Sequence, residues 1–232
     1  EEIKLNIAKI EANLKGKKIL ITGAAGSIGS GLVKQIANFE PALLILFDQA
    51  ESGLYDLQWE IKDETPNVKF EIVIGDVTHR KRVENLIRSF SPEVVFHAAA
   101  YKHVPLMELN PSEAVKTNIL GSKILIDICD EFKVKKFVFI STDKAVNPTN
   151  VMGATKRFAE KIVMAFNEQS ETNYAAVRFG NVLGSNGSVI PLFRKQIESG
   201  GPVTVTHPKI IRYFMKRLFL MGFHVIYFGI NQ

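Results

Sequence analysis

The sequence predicts an α/β fold in which a doubly wound parallel sheet carries helices on both faces. Two observations lead to this prediction: short apolar segments alternate with segments of helical periodicity, and a glycine-rich turn follows the first apolar segment. The apolar segments are nearly continuous, which is typical of strands whose two faces are both buried. We therefore expect seven parallel strands, followed by a small C-terminal region.

Each element is indicated by its own pattern. A leading helix is predicted over residues 1–15, because Ile3, Ile7, Ile10 and Leu14 fall on one helical face. The segments predicted as strands are KKILIT, ALLILF, KFEIVIG, EVVFHAA, KKFVFIS and YAAVRFG. Helices are predicted from about Ser27 onward and over about 52–62, 80–90, 111–132 and 152–169. Residues 16–184 form the main predicted domain, and 185–232 form a region of short elements rich in glycine and proline.

Composition excludes several classes of function. The net charge is +5 and the isoelectric point is near 9.2, but the basic residues are spread along the chain, so we expect no nucleic-acid partner. The five histidines lack metal-ligand spacing, so we expect no metal site. The single cysteine, Cys129, excludes an internal disulfide and suits a reducing, cytoplasmic location. We find no apolar run long enough to span a membrane.

The segment ITGAAGSIG places Gly23, Gly26 and Gly29 between the first strand and the first long helix. Glycine permits a tight turn there and lets backbone amides approach a pyrophosphate, which then lies at the positive end of the helix dipole. A glycine triplet alone is weak evidence. Its place at the start of a strand–helix–strand repeat predicts a Rossmann-type dinucleotide site.

Three further loops complete this predicted site. Asp48 ends the second strand, 25 residues after Gly23, where a carboxylate accepts hydrogen bonds from the adenosine ribose. Because no arginine follows it to hold a 2′-phosphate, we expect NAD rather than NADP; the alternative is that Asp48 is a plain turn residue. Asp76 and Val77 follow the third strand, at the adenine edge. The small residues Ala98–Ala100 follow the fourth strand and let the chain pass close to the cofactor.

Motifs along residues 17–215 point to one family. They are TGAAGSIGSGL, FDQAESGLYDL, GDVTHR, AAAYKHVPLME, NPSEAVKTNILGS, STDKAVNPTNVMGATKR, RFGNVLGSNGSVIPLF and RYFM. Together they resemble the extended short-chain dehydrogenase/reductase superfamily, and more narrowly its CapD-like polysaccharide-biosynthesis group, which includes UDP-N-acetylglucosamine 4,6-dehydratases. One branch of that group carries methionine where other members have tyrosine, and Met152 occupies this position here.

The resemblance implies roles for individual residues. Asp143 would be the acid at O6 of the sugar and Lys144 the base at C5, while Lys156 would hold the nicotinamide ribose. A thioether cannot transfer a proton, so deprotonation of O4 would fall to Thr142, Asp143 or an ordered water near Lys156. The expected NAD-binding set is Gly23, Gly26, Ser27, Ile28, Gly29, Asp48, Gln49, Ser52, Asp76, Val77, Ala98, Ala99, Ala100 and Lys156. The expected substrate-binding set is Lys102, Asn118, Asn181, Arg194 and Arg212.

The implied activity is NAD-dependent dehydration of a UDP-N-acetylhexosamine, in which oxidation at C4 acidifies C5–H before water is eliminated. Two other functions stay open. A nucleotide-sugar epimerase needs neither a C5 base nor an O6 acid, which disfavours it. A catalytically silent NAD-binding protein is the second, because the family continues beyond RYFM whereas KRLFLMGFHVIYFGINQ matches nothing in it and suggests a truncated chain. We expect a homo-oligomer without a membrane span of its own, although relatives are often fused to membrane helices.

Overall fold

The fold is built on a parallel sheet, and the computed structural model describes residues 7–182, 189–203 and 214–215. Its strands are β1 (Lys18–Thr22), β2 (Leu43–Asp48), β3 (Phe70–Ile74), β4 (Val94–His97), β5 (Lys136–Thr142) and β6 (Asn173–Phe179). Their order in the sheet is β3-β2-β1-β4-β5-β6, and all neighbours are parallel. This order confirms the doubly wound fold, with its reversal between β1 and β4.

The expected count of seven strands was wrong for the described part of the sheet, which has six. The six apolar segments account for all of them. The next short strand, β7 (Asn181–Val182), instead pairs with β8 (Phe214–Met215) in a separate two-stranded sheet.

Helices connect the strands and cover both faces of the sheet. They are α1 (Ile7–Leu14), α2 (Ser27–Ala37), α3 (Glu51–Glu64), α4 (Arg80–Phe90), α5 (Val104–Leu109), α6 (Pro111–Ala114), α7 (Ser122–Glu131), α8 (Val151–Gln169) and α9 (Val189–Glu198). The helix predicted over 111–132 contains a π-helical segment, Val115–Gly121, between α6 and α7. Sequence reasoning missed α5 and α9. Among the described residues, no helix combines the length and apolar character needed to cross a membrane.

Alternate side chains of each central strand enter two separate apolar layers. Ile19 and Ile21 of β1 pack in the layer under α2 and α3, whereas Leu20 packs in the layer under α4 and α7. Phe137 and Phe139 of β5 fill the second layer and are fully buried. Because both faces are covered, neither set of alternate positions needs to be polar, and this explains the continuous apolar segments.

The glycine turn brings three backbone segments into contact. Gly23 has a φ of +69°, and a Cβ there would lie 2.5 Å from the amide nitrogen of Ala99. A Cβ on Gly29 would lie 1.9 Å from the carbonyl oxygen of Gly23. The first turn of α2 therefore packs directly on the glycine turn that follows β1. The glycine turn also touches the loop after β4. Neither position has room for a side chain.

We expect Gly29→Ala to lower the free energy of unfolding by about 3 kcal/mol or more, because the added methyl must displace backbone rather than a mobile side chain. Gly26→Ala is the matched control. Its Cβ would have one close neighbour, the Gly23 carbonyl oxygen at 3.2 Å, and its φ of −70° suits any residue. Urea denaturation followed by circular dichroism measures both. Equal midpoints for the two variants would contradict the packing argument.

Candidate active site

A cleft of about 240 Å³ opens at the carboxyl edge of the sheet, where the strand order reverses. Its lining includes nine residues of the predicted cofactor set: Gly23, Gly26, Asp48, Gln49, Asp76, Val77, Ala98, Ala99 and Ala100. It also includes residues that sequence reasoning missed, namely Ala25, Phe47, Ala50, Gly75, Tyr101 and Thr117. Ala25, Ala50 and Gly75 adjoin predicted residues in the same loops, so the loop sequences were a usable signal for them. The direction in which the Thr117 side chain points depends on how its helix packs, so the local sequence carried no signal for it.

Five expected cofactor residues do not line the cleft itself. Ser27, Ile28 and Gly29 form the first turn of α2, whose backbone amides lack carbonyl partners within the helix. Gly26 precedes this turn and has no side chain to cap it. The helix therefore presents the positive end of its dipole beside the glycine turn, which suits an anionic group. Ser52 lies in the first turn of α3, and Lys156 lies on α8.

Asp48 connects two loops of the cleft. Its Oδ2 atom accepts a hydrogen bond from the Ala25 amide at 2.9 Å, and its Oδ1 atom accepts one from the Ala50 amide at 3.0 Å. The interpretation of Asp48 as a turn residue therefore holds in part, because the carboxylate shapes both turns. A carboxylate offers about four acceptor sites, so two stay available for ribose hydroxyls.

Three predicted catalytic residues are in mutual contact where β5 ends. Thr142 closes the strand and Asp143–Ala145 forms a 3₁₀ turn. The Oδ1 atom of Asp143 accepts hydrogen bonds from the Thr142 hydroxyl at 2.9 Å and from the Lys144 ammonium at 3.0 Å. The side chains of Asp143 and Lys144 are about one-third exposed, at 34% and 32%. They form a connected path for protons that a ligand can reach.

Helix α8 begins against this turn. Asn150 caps the helix by accepting a hydrogen bond from the Gly153 amide at 2.8 Å. A Cβ on Gly153 would lie 2.3 Å from the carbonyl oxygen of Lys144, so glycine is needed for the contact. This contact fixes where the side chains of α8 lie relative to the turn at Asp143–Ala145.

Lys156 is buried beneath the turn. Its ammonium donates a hydrogen bond to the Ile140 carbonyl at 2.6 Å and lies 3.9 Å from the centre of the Phe139 ring. Burial lowers the pKa of Lys156 to about 7, although the nearby Glu160 carboxylate acts in the opposite direction. The residue therefore changes charge near neutral pH.

Met152 is only 3% exposed and packs in a small apolar cluster with Met107 and Ala114, bordered by Val104 and Val151. Its thioether lies among hydrocarbon groups and serves packing. The helix nevertheless keeps Met152 and Lys156 one turn apart. The position at which the resemblance leads us to expect a tyrosine is thus filled by a side chain that transfers no proton.

A buried chain of hydrogen bonds connects β1 with α8, and sequence reasoning did not anticipate it. The Ser122 hydroxyl donates to the Asn118 carbonyl at 2.7 Å, so His97 Nε2 must donate to Ser122 at 2.9 Å. The other ring nitrogen of His97 then accepts from the Thr22 hydroxyl at 2.6 Å. Burial and the charge of Lys156 lower the pKa of His97 to about 3, so the ring stays neutral. A histidine and a threonine within otherwise apolar strands were the available signal.

Asn118, which we expected to shape the substrate site from the long helix, is fully buried. Its side-chain oxygen accepts from the Tyr101 amide at 2.9 Å, and its side-chain nitrogen donates to the Tyr101 carbonyl and the Thr155 hydroxyl, each at 3.0 Å. Thr155 donates in turn to the Met152 carbonyl at 2.8 Å. Asn118 therefore shapes the site by joining the loop after β4 to α8.

The other expected substrate residues are dispersed in the described structure. Lys102 lies in the loop after β4 with an exposed side chain, and Arg194 is exposed on α9. Asn181 begins β7, two residues after β6 ends at Phe179. Arg212 lies outside the described residues. Within those residues, no group of three or more His, Cys, Asp or Glu side chains has a metal-binding arrangement.

A comparison with known families identifies the family of the chain. A family model described as polysaccharide biosynthesis protein matches residues 19–217. The chain belongs to this family. The resemblance to the CapD-like group is thereby confirmed. The polysaccharide biosynthesis protein from Staphylococcus aureus named CapD is 53% identical over 217 residues, which cover 93% of this chain and 36% of that protein.

Two further relatives of this chain carry enzyme names. An inverting UDP-N-acetylglucosamine 4,6-dehydratase from Campylobacter jejuni is 39% identical, over 86% of this chain and 60% of the relative. A UDP-glucose 4-epimerase from Rickettsia canadensis is 37% identical, over 86% and 59%. The chain thus spans between about a third and three-fifths of the length of the relatives it matches.

Solved structures support the same fold. Pen from Bacillus thuringiensis superimposes with a TM-score of 0.83 at 39% identity, covering 90% of this chain and 66% of that one. DesIV from Streptomyces venezuelae, a dTDP-glucose 4,6-dehydratase solved with NAD and TYD bound, gives a TM-score of 0.77 at 21% identity, covering 88% and 69%. At that identity, DesIV supports only the fold.

We expect the free energy of unfolding, measured without ligand, to rise with pH between 7 and 9 more steeply in the native protein than in Lys156→Met. The pKa of Lys156 is about 7 when folded, against 10.5 for an ordinary lysine. Between these values the unfolded chain holds a proton that the folded chain lacks, so raising the pH favours the folded state. One proton contributes up to about 1.4 kcal/mol per pH unit. Urea denaturation at pH 7, 8 and 9 measures the slopes.

Lys161→Met is the matched control for this measurement, because Lys161 is an exposed lysine on the same helix. This variant should keep the native slope. Parallel stability curves for the native protein and Lys156→Met would show that Lys156 is not neutralised by burial.

Proposed function

We propose that this protein catalyses NAD-dependent 4,6-dehydration of a UDP-N-acetylhexosamine, converting UDP-N-acetylglucosamine to its 4-keto-6-deoxy product for surface polysaccharide or glycan biosynthesis. One observation carries the proposal: a single oxygen of Asp143 accepts hydrogen bonds from both Thr142 and Lys144. An acid and a base side by side at the carboxyl edge of the sheet suit an elimination, which must remove a proton from one carbon and a hydroxyl from the next.

The cleft fits a dinucleotide. Its pyrophosphate would bind against the first turn of α2, and its adenosine ribose would bind to Asp48. Asp76 and Val77 would border the adenine, and Lys156 would hold the nicotinamide ribose. A bound nicotinamide would supply the hydride acceptor for oxidation at C4 of the sugar and the hydride donor for reduction at C6. The protein must supply every proton transfer.

The contact between Thr142 and Asp143 suggests a route for the first proton. The Thr142 hydroxyl would accept the proton from O4 and pass its own proton to Asp143, with which it is already hydrogen-bonded. Asp143 would then be the protonated acid that the departing O6 hydroxyl needs. The proton from O4 and the hydroxyl from C6 leave together as water, so the step balances.

Lys144 lies beside the proposed acid, with its side-chain nitrogen 3.0 Å from Oδ1 of Asp143. After giving a proton to solvent, neutral Lys144 would remove the C5 proton and later return it to C5. Met152 takes no part in this scheme.

Epimerisation at C4 is the second candidate, because one relative carries that name. Incubation with UDP-N-acetylglucosamine and NAD, followed by mass spectrometry, separates the possibilities. A dehydratase gives a product lighter by one water. An epimerase gives a product of unchanged mass with the opposite C4 configuration. A silent NAD-binding protein leaves the sugar unaltered while calorimetry still detects the cofactor.

We expect NAD to bind more tightly than NADP by about 1–3 kcal/mol, roughly 5- to 150-fold in Kd, because the Asp48 carboxylate would repel a 2′-phosphate in a partly buried site. Asp48→Asn keeps the size of the side chain and should narrow this ratio. Calorimetry with both cofactors measures the ratio of the two Kd values. The melting temperature reports any loss of stability caused by the weakened turn. Equal or tighter binding of NADP by the native protein would overturn this assignment.

We expect Lys144→Met to reduce dehydration about 10²- to 10⁴-fold, because it removes the proposed base while keeping much of the side-chain volume. Asp143→Asn should be similarly damaging, since an amide cannot protonate the leaving hydroxyl. Met152→Leu, which is close in volume, should keep most activity. Deuterium exchange at C5 separates the roles: Lys144→Met should block exchange, whereas Asp143→Asn should allow exchange without loss of water. An active Lys144→Met beside an inactive Met152→Leu would mean that other residues carry the chemistry.

A further inference from the structure

A buried carboxylate lies beneath the catalytic turn and has no role in the scheme above. Glu160 on α8 is 2% exposed. Its Oε1 atom accepts hydrogen bonds from the Ser141 hydroxyl at 2.5 Å and from Arg178 Nε at 2.8 Å. Its Oε2 atom accepts from Arg178 Nη2 at 2.7 Å and from Arg157 at 3.2 Å. All four bonds are charge-assisted, and the contact with Arg178 is bidentate.

These bonds join the elements that carry the proposed chemistry. Ser141 immediately precedes Thr142, and it is the register partner of Arg178 where β5 pairs with β6. Glu160 follows Lys156 by one helical turn, so the two side chains lie on the same face of α8. One carboxylate on α8 therefore connects the residue before the catalytic turn with the neighbouring strand β6.

Glu160 is the acidic group whose charge acts on Lys156. His97 approaches from β4 and is neutral, while Arg157 and Arg178 are cationic and paired with Glu160. Burial works to raise the pKa of Glu160, but the hydrogen bonds from Arg178 and Ser141 outweigh it and keep this pKa below its ordinary value. The carboxylate is therefore charged wherever Lys156 titrates, and it favours the ammonium form of that lysine.

We propose that Glu160 is a positioning residue, which holds the catalytic turn on α8 through Ser141 and supplies the negative charge that Lys156 faces. The first part rests on the proposed function of residues 142–144. The second part concerns only Lys156 and Glu160 and can be tested without any substrate. A purely structural ion pair with Arg178 is the competing explanation, since removing one partner of a buried pair destabilises a protein by itself.

The titration of Lys156 tests the second part directly. The ¹³Cε resonance of Lys156 in lysine-labelled protein, assigned by its loss in Lys156→Met, reports its protonation. Glu160→Gln should move the midpoint down by about one pH unit or more, because an opposite charge has been removed. Glu160→Asp retains the charge, so its Lys156 midpoint should lie close to that of the native protein. The resonance of exposed Lys161 on the same helix is the internal control and should not move. An unchanged midpoint in folded Glu160→Gln would overturn this part.

Ser141→Ala tests the first part, because it breaks the bond to the turn and leaves the pair of Glu160 with Arg178 in place. The backbone amide resonances of residues 142–145 should shift, and kcat for dehydration should fall at least several-fold while the Kd for NAD stays unchanged. If Ser141→Ala showed native amide shifts and native kcat, the positioning role would be overturned. This test holds even if Glu160→Gln fails to fold. If the protein proves to have no dehydratase activity, the amide shifts and the Lys156 titration still decide the proposal.

Discussion

The turn after β1 touches the backbone that follows β4, and the geometry of the cleft depends on this contact. A side chain at Gly23 would collide with the backbone of Ala98 and Ala99, so the two loops can meet only because nothing projects between them. The same turn supports α2, since the carbonyl of Gly23 lies where a Cβ of Gly29 would be. The helix end, the turn and the neighbouring loop are thereby fixed together. The cleft opens where these loops diverge, at the reversal of strand order.

Buried polar groups extend this fixed geometry from β1 and β4 to α8. Thr22, His97, Ser122 and Asn118 are buried, and burial of such groups is costly unless each finds a partner. They satisfy one another in a chain that ends at Thr155 on α8. Apolar contacts tolerate sliding, whereas a chain of directional bonds allows one arrangement. Asn118 lies in the π-helical segment, and π turns are frequent at functional sites.

Met152 lies where the resemblance would place a tyrosine, and its thioether cannot transfer a proton. It packs in an apolar cluster, while Lys156 lies one helical turn later and is bonded to the Ile140 carbonyl. On our proposal, proton transfer passes to the turn that Thr142 begins, where hydroxyl, carboxylate and ammonium are already in contact. The buried carboxylate of Glu160 then matters more, since it supports both this turn and the lysine beneath it.

The sequence by itself determined the doubly wound sheet, most of its helices, the glycine turn and the residues that line the cleft at Asp48, Asp76 and Ala98–Ala100. These features follow from local patterns: apolar periodicity, glycine where a side chain cannot fit, and polar residues at strand ends. Only the tertiary structure decided that Asn118 is internal, that Lys156 loses its ordinary basicity, and that Glu160 meets Ser141 and Arg178. Each of these depends on residues that are distant in the sequence and on removal from water. Solvent exclusion and long-range contacts are properties of the packed molecule, and a local sequence pattern does not encode them directly.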